Sequence, residues 1–301
     1  MEHPSTLVAD ASVAQAGQPD AQAVTEKPLE SLAHRLAAQY ILAEQATGEA
    51  VLLQLLERQE PLLTEAYQHF SGTLQDDVTP SAAAEWLLDN FFVVVQAIRQ
   101  VREDMPTGYY QQLPKLQNTA LKHYPRIYAL AHETVGYSNR QITIGDTAQF
   151  VQAFQADGVV LTIGELWAFP TMLRLSILES LTEALTAQIA TERAAEAPSA
   201  RVTAALYDDN TVGNCITNLR ILAIQDWKSF FESVSVVEAI LRSDPAGGYP
   251  TMDFDTRNTY RTAIETLARQ TRHTEESVAR HVIAISAGAL LTLPTAHVGY
   301  Y

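Results

Sequence analysis

The sequence predicts an all-α protein, a multi-helix bundle or array behind a disordered N-terminal tail. Only 13 glycines and 13 prolines occur in 301 residues, too few for a sandwich or barrel built on many tight turns. Long tracts of Ala, Leu, Glu and Gln favour helix. The composition is 47% hydrophobic, and its apolar residues recur at helical spacing in numbers that can fill a sizeable core.

Residues 1–24 are rich in Ala, Gln, Ser, Asp and Pro. They cannot bury enough apolar surface to offset their ordering entropy, so a disordered tail is expected, with residues 25–301 as the helical domain. Pro28 suits a first helical turn, and Leu29, Leu32, Leu36, Tyr40 and Leu42 continue the helix. After Gly48 a second helix carries Val51, Leu52, Leu55, Leu56, Leu62 and Leu63, with Pro61 able to kink or divide it. The two adjacent apolar faces predict a helical hairpin.

Asp76-Asp77-Val78-Thr79-Pro80 reads as the cap and first turn of a helix through Trp86, Leu87, Phe91, Val94 and Ile98, ending near Met105-Pro106. Asp146-Thr147-Ala148-Gln149 has a capping-box pattern ahead of Phe150, Val151 and Phe154. The strongest local signal is Thr162-Ile163-Gly164-Glu165. There Thr162 caps, Glu165 bonds back to the cap amide, and Leu161 staples onto Leu166. Pro170 comes early enough to be tolerated with a modest bend, and Leu173, Ile177, Leu178, Leu181 and Leu185 mark a long buried face. Small residues and Pro198 place a candidate subdivision near 194–200. Beyond it, helices are predicted from Val212 to Ile224, through Phe230, Phe231, Val234 and Val237, from Arg257 to Arg269, and from a Thr274 cap to about Leu291. Asp244-Pro245-Ala246-Gly247-Gly248-Tyr249 is a turn.

Lys and Arg total 20 against 35 Asp and Glu, a formal charge of -15. Such a surface opposes nucleic acid and anionic lipid, whose binding requires phosphate neutralisation by Lys and Arg. The single cysteine, Cys215, excludes an internal disulfide and fits a reducing compartment. It reads as a small buried apolar residue. No secretory leader is visible, and the longest apolar run, Val282 to Leu293, is too short to span a bilayer.

No nucleophile, metal or phosphate signature emerges. His132-Glu133 begins a zinc-protease pattern, but Gly136 occupies the position of the second histidine. Asp208-Asp209-Asn210 is ordinary turn and helix-start chemistry. Glu133, Glu165 and Glu179 could supply paired carboxylates for sugar chemistry. Glu165 already has a capping role with Thr162, and Glu133 and Glu179 can pair with Arg126 or Arg174 to hold helices in register. Trp86, Tyr109, Tyr110, Tyr128 and Trp167, joined by Tyr124, could form a sugar-stacking or docking surface, the alternative being core packing.

Three clusters stand apart: Gly108-Tyr109-Tyr110-Gln111-Gln112-Leu113-Pro114-Lys115-Leu116, then Pro125-Arg126-Ile127-Tyr128-Ala129-Leu130-Ala131-His132-Glu133, then Leu161 to Pro170. With Glu85-Trp86-Leu87-Leu88-Asp89-Asn90-Phe91 before them, and Val212-Gly213-Asn214, Leu219-Arg220, Asp226-Trp227, Phe230-Phe231, Asp244 to Gly247, Met252-Asp253-Phe254, Thr256-Arg257, Tyr260-Arg261 and His297 to Tyr301 after, the order resembles the N-terminal cytoplasmic region of cyclic β-1,2-glucan synthases. The resemblance runs from about residue 80 to the end. Family members are large inner-membrane enzymes that build and cyclise β-1,2-glucan from UDP-glucose, using a membrane-embedded glycosyltransferase and a phosphorylase-like part. None of the transferase motifs lies in these residues.

The resemblance therefore implies a truncated, non-catalytic helical region on the cytoplasmic face of the inner membrane. Its implied partner is the remainder of the same polypeptide, with no catalytic residue, metal or cofactor of its own and UDP-glucose as donor for the parent enzyme. The alternative it implies is a β-1,2-glucan-binding module that guides the growing chain. Neither nucleic-acid binding nor membrane insertion by this segment is expected.

Overall fold

The computed structural model describes residues 28–43, 51–73, 80–137, 141–196, 210–288 and 297–300. The 1–24 tail, Gly48, Asp76 to Thr79, Pro198, Asp208-Asp209, the end of the last predicted helix near Leu291, and Tyr301 lie outside them. Among the described residues the fold is all-α, and its extended pairing is limited to isolated bridges from Leu116 to Leu42 and from Lys115 to Pro125.

The first half runs α1 Pro28–Gln39, α2 Val51–Thr73, α3 Ala82–Glu103, α4 Thr107–Gln112, α5 Arg126–Tyr137, α6 Ile144–Ala156 and α7 Ile163–Glu196. The second half runs α8 Thr211–Ile224, α9 Trp227–Val234, α10 Val236–Leu241, α11 Phe254–Thr271 and α12 Glu275–Gly288. α7 is the axis. Its apolar residues Leu166, Phe169, Met172, Leu173, Leu175, Ile177, Leu178 and Leu181 point all round the helix and are buried, as expected of a helix with neighbours on every side. α2, α3, α5, α8 and α9 pack against it, while α1 lies on α6 and α12 joins α10 to α11.

The predicted hairpin of the first two helices does not form, since α1 packs on α6 and α2 on α3 and α7. α2 runs through Pro61 and α7 through Pro170 as single helices. α3 is capped by Ser81, which accepts from the Ala84 amide, immediately after the predicted Asp76–Pro80 cap. The α6 cap falls three residues before the expected box. Thr143 Oγ1 accepts from Asp146 N at 3.1 Å and donates to Asp146 Oδ2 at 2.7 Å, so aspartate takes the place that glutamate fills in the usual motif. The single helix expected through Phe230 and Val237 is two, because Ser235 ends α9 and caps α10 by accepting from Glu238 N.

Candidate functional site

The start of α7 is fixed by a reciprocal box. Glu165 N donates to Thr162 Oγ1 at 3.1 Å, and Thr162 N donates to Glu165 Oε2 at 2.9 Å. The same carboxylate takes a fork from Arg126 at the start of α5, with Nε on Oε1 at 2.9 Å and Nη2 on Oε2 at 2.6 Å. Arg126 Nη2 also donates to the Val160 carbonyl at 3.1 Å. Both side chains are buried. A two-pronged pair of this kind fixes orientation as well as distance, so it locks α5 against the first turn of α7.

Two more elements reach this turn. Tyr109 of α4 donates its hydroxyl to the Gly164 carbonyl, and burial together with Glu265, Glu165 and Glu275 pushes its phenol above the ordinary range. From α12, Glu275 Oε2 accepts from Ile163 N at 2.7 Å, an amide that lacks an intrahelical acceptor. Arg269 of α11 holds Glu265 at 2.9 Å and donates to Gln112 Oε1 at 3.0 Å.

These groups surround a cavity of about 610 Å3, within the usual size range of ligand sites. Its walls mix donors and acceptors with apolar surface from Leu113, Leu161 and Ala268. Glu275 is its chemically distinctive member. Burial first, then the nearby Glu265 and Glu165 charges, push its carboxyl up to about 7, against the Ile163 amide and Arg269, which act the other way. It can therefore exchange a proton near neutral pH. Thr274 caps α12 and Glu275 opens its first turn. In the sequence this is indistinguishable from an ordinary helix start, so nothing there singles Glu275 out.

The four aromatic candidates with described side chains sit among different neighbours. Trp86 on α3 lies over Gly213 of α8, where a Cβ would stand 2.9 Å from the indole, and 41% of its surface is exposed. Tyr109 lines the cavity. The Tyr110 side chain lies outside the described residues. Tyr128 is buried, stacks on Tyr124 at 5.2 Å and donates its hydroxyl to Glu179. Trp167 stacks on Phe231 at 4.6 Å and meets Phe254 edge-on at 5.9 Å. Trp86, Tyr109, Tyr128 and Trp167 thus occupy four different environments.

The ion-pair partners also differ from those expected. Arg126 is taken by Glu165, and Glu179 by Tyr128, with His132 Nε2 3.9 Å away. Arg174 is buried, lies 3.7 Å from Asp104 and donates to the Leu222 carbonyl. Glu133 makes no ion pair among the described residues; its charge is felt by the half-buried Tyr40 phenol. Arg126 and Arg174 are buried and Glu133 and Glu179 half-buried, and helix spacing could not choose partners between helices. Cys215 is buried, which pushes its thiol up to about 12, outside nucleophilic use at neutral pH.

A second polar cluster joins α9, α10 and α11. Glu238 of α10 and Arg261 of α11 are both fully buried and paired at 2.9 Å, and Tyr249 donates to the same carboxylate oxygen at 2.6 Å. Glu232 of α9 bridges Arg257 at 2.7 Å and Arg261 at 3.2 Å, and the Arg261 guanidinium lies over the Phe231 and Phe254 rings. The available signal was Glu238 itself, a lone charge within Val236-Val237-Glu238-Ala239-Ile240-Leu241. Among the described residues no group of three His, Cys, Asp or Glu side chains is placed to hold a metal ion, and no helix is long and apolar enough to cross a membrane.

No protein-family model matches the chain. It is similar to the cyclic beta-(1,2)-glucan synthase NdvB of Rhizobium meliloti (strain 1021), with 30% identity over 73% of this chain. The similarity takes in 10% of that synthase, so the chain spans about a tenth of its relative's length. The chain is thus a relative of the cyclic β-1,2-glucan synthases.

Proposed function

We propose that this chain acts as a non-catalytic helical region of a cyclic β-1,2-glucan synthase, packing on or supporting a UDP-glucose-dependent glycosyltransferase on the cytoplasmic face of the membrane. One observation carries the reading: the charged and aromatic side chains most unusual for a simple helical bundle are engaged with one another. Arg126 is held by Glu165, Tyr128 by Glu179, Arg261 by Glu238, and Trp167 by Phe231. Groups tied up in this way orient helices, and a surface built on rigid helices is suited to docking. Donor sugar would bind elsewhere in the longer polypeptide.

The test is incorporation of labelled UDP-glucose by a synthase lacking this region, with and without the purified chain added back. The reading expects no turnover by the chain alone, loss of glucan synthesis on deletion, and recovery on addition. Turnover by the isolated chain, or undiminished synthesis without it, would sink the proposal.

A second reading, a β-1,2-glucan site, draws on the cavity at the start of α7, where Tyr109 and apolar side chains adjoin paired donors and acceptors. Calorimetric titration with β-1,2-linked oligosaccharides checks it. Heat that disappears in Tyr109→Ala favours it, and a flat trace to millimolar sugar removes it.

A further inference from the structure

α11 and α12 form a helical hairpin whose base and tip are attached in different ways. At the base, Arg257 and Arg261 enter the buried cluster with Glu232, Glu238 and Tyr249. At the tip, the chain turns through Arg272 in the left-handed region (φ 59°) and reaches across to α7 and α4. Two polar contacts are made there over the 610 Å3 cavity: Glu275 on the Ile163 amide at 2.7 Å, and Arg269 on Gln112 at 3.0 Å.

Two carboxylates crowd the same turn of α7. Beyond the Glu275 contact, Glu265 Oε1 lies 3.9 Å from where a Gly164 Cβ would stand, and the Tyr109 hydroxyl 3.8 Å from it. The charged and titratable groups facing Glu275 are Glu265 and Arg269 from α11, His273 from the turn, and Glu276 from α12 itself. Glu165 of α7, Arg126 of α5 and Tyr109 of α4 complete the set. The cations among them are committed, Arg126 to Glu165 and Arg269 to Glu265. Glu276 is engaged by Arg280 at 2.8 Å. An ionised Glu275 is left with one amide and an Arg269 already shared with Glu265, against two like charges, in a half-buried position where water is replaced by protein.

We propose that the α11–α12 hairpin is a proton-operated latch over this cavity, its tip seated on α7 while Glu275 carries a proton and lifted when Glu275 ionises. Protonated, the side chain keeps its carbonyl oxygen on Ile163 N and adds no third negative charge to the turn. Ionised, it gains hydration by leaving, and the tip leaves with it while the base stays anchored by the Glu238–Arg261 pair. The proton passes to solvent through the open cavity. The raised Glu275 carboxyl agrees with this geometry. Lifting widens the mouth of the cavity, so access to it is set by pH.

Amide hydrogen exchange on the whole chain at pH 5.5 and 8.5, corrected for intrinsic rate, tests the latch. The first turns of α7 and α12 are expected to open at least about tenfold more at the higher pH, while the Arg261 turn is unchanged. Glu275→Gln, which keeps the acceptor without the charge, abolishes the difference. Glu265→Gln, which removes a like charge and leaves Arg269 to Glu275, makes ionised Glu275 tolerable at the seated tip, so the difference shrinks and its midpoint moves to lower pH. Equal protection of the wild-type tip at both pH values overturns the proposal. So does a difference that survives in Glu275→Gln, since the responding group would then be another.

Discussion

The carboxylates Glu232 and Glu275 hold the two ends of one helical hairpin, yet their surroundings push them in opposite directions. Glu232 is drawn below the ordinary carboxylate range by hydrogen bonds and charge from Arg257 and Arg261, which outweigh its burial. Glu275 is pushed up to about 7 because burial and the charges of Glu265 and Glu165 outweigh the Ile163 amide and Arg269. The lesson concerns the count of uncommitted cations rather than depth. The base has Arg242, Arg257 and Arg261 for two acids, whereas Arg269 at the tip already serves Glu265. Acid should therefore loosen the base and alkali the tip.

The sharpest way to break this contrast is to remove one partner from the base. Arg261→Met should cost about 3–5 kcal/mol in urea unfolding, because Glu238 is left charged and fully buried. A cost under about 1 kcal/mol would mean that Arg242 and Arg257 compensate and that the cluster is redundant. Arg126→Met removes the corresponding fork from Glu165, which retains its bonds to Thr162 N and Oγ1. Its expected cost is somewhat smaller, about 2–4 kcal/mol, read as a fall in thermal midpoint.

The pH response comes next in size. Glu275 has a higher pKa folded than unfolded, about 7 against an ordinary 4.5. Its contribution is therefore fully present below pH 4.5 and is lost as pH rises through 7. The loss should be on the order of 2 kcal/mol between acidic and alkaline solution. Glu232 has the opposite sign: its contribution is present above the unfolded carboxylate range and is lost as pH falls through its depressed folded value. Stability measured across pH should thus decline on both sides, with the tip responsible for the alkaline limb.

The smallest expected effect lies outside the hairpin. Gly213→Ala places a methyl where Trp86 ring atoms stand 2.9 Å away. The partly exposed indole can swing outward, so the cost should be about 1 kcal/mol, with a red shift in tryptophan emission. An unchanged spectrum would show that the backbone, not the ring, yields.

Much of the fold was legible because it depends on periodicity and local chemistry. The Thr162–Glu165 box and the long apolar face from Leu173 to Leu185 are properties of adjacent turns, and both occur where the pattern placed them. The departures arise where local options compete. Thr143 caps α6 through Asp146, although the later Asp146–Gln149 stretch has the more familiar pattern. Ser235 divides what looks like one apolar run because its hydroxyl takes the Glu238 amide. Pairing between distant helices was not legible at all. Arg126 could have met Glu133, Glu165 or Glu179, and only tertiary packing selects Glu165. The same holds for the cavity: Tyr109, Arg126, Glu165, Glu265 and Glu275 are each ordinary in sequence and become a site only when α4, α5, α7, α11 and α12 converge.

The most direct test of the contrast is urea unfolding of the wild type and Glu275→Gln at pH 5 and pH 8.5. If an uncompensated charge at the tip is what separates it from the base, the substitution is nearly neutral at pH 5 and stabilises the chain at pH 8.5 by on the order of 2 kcal/mol. The same offset at both pH values would contradict the account, because Glu275 would then act through its shape or its bond to Ile163 and not through its charge.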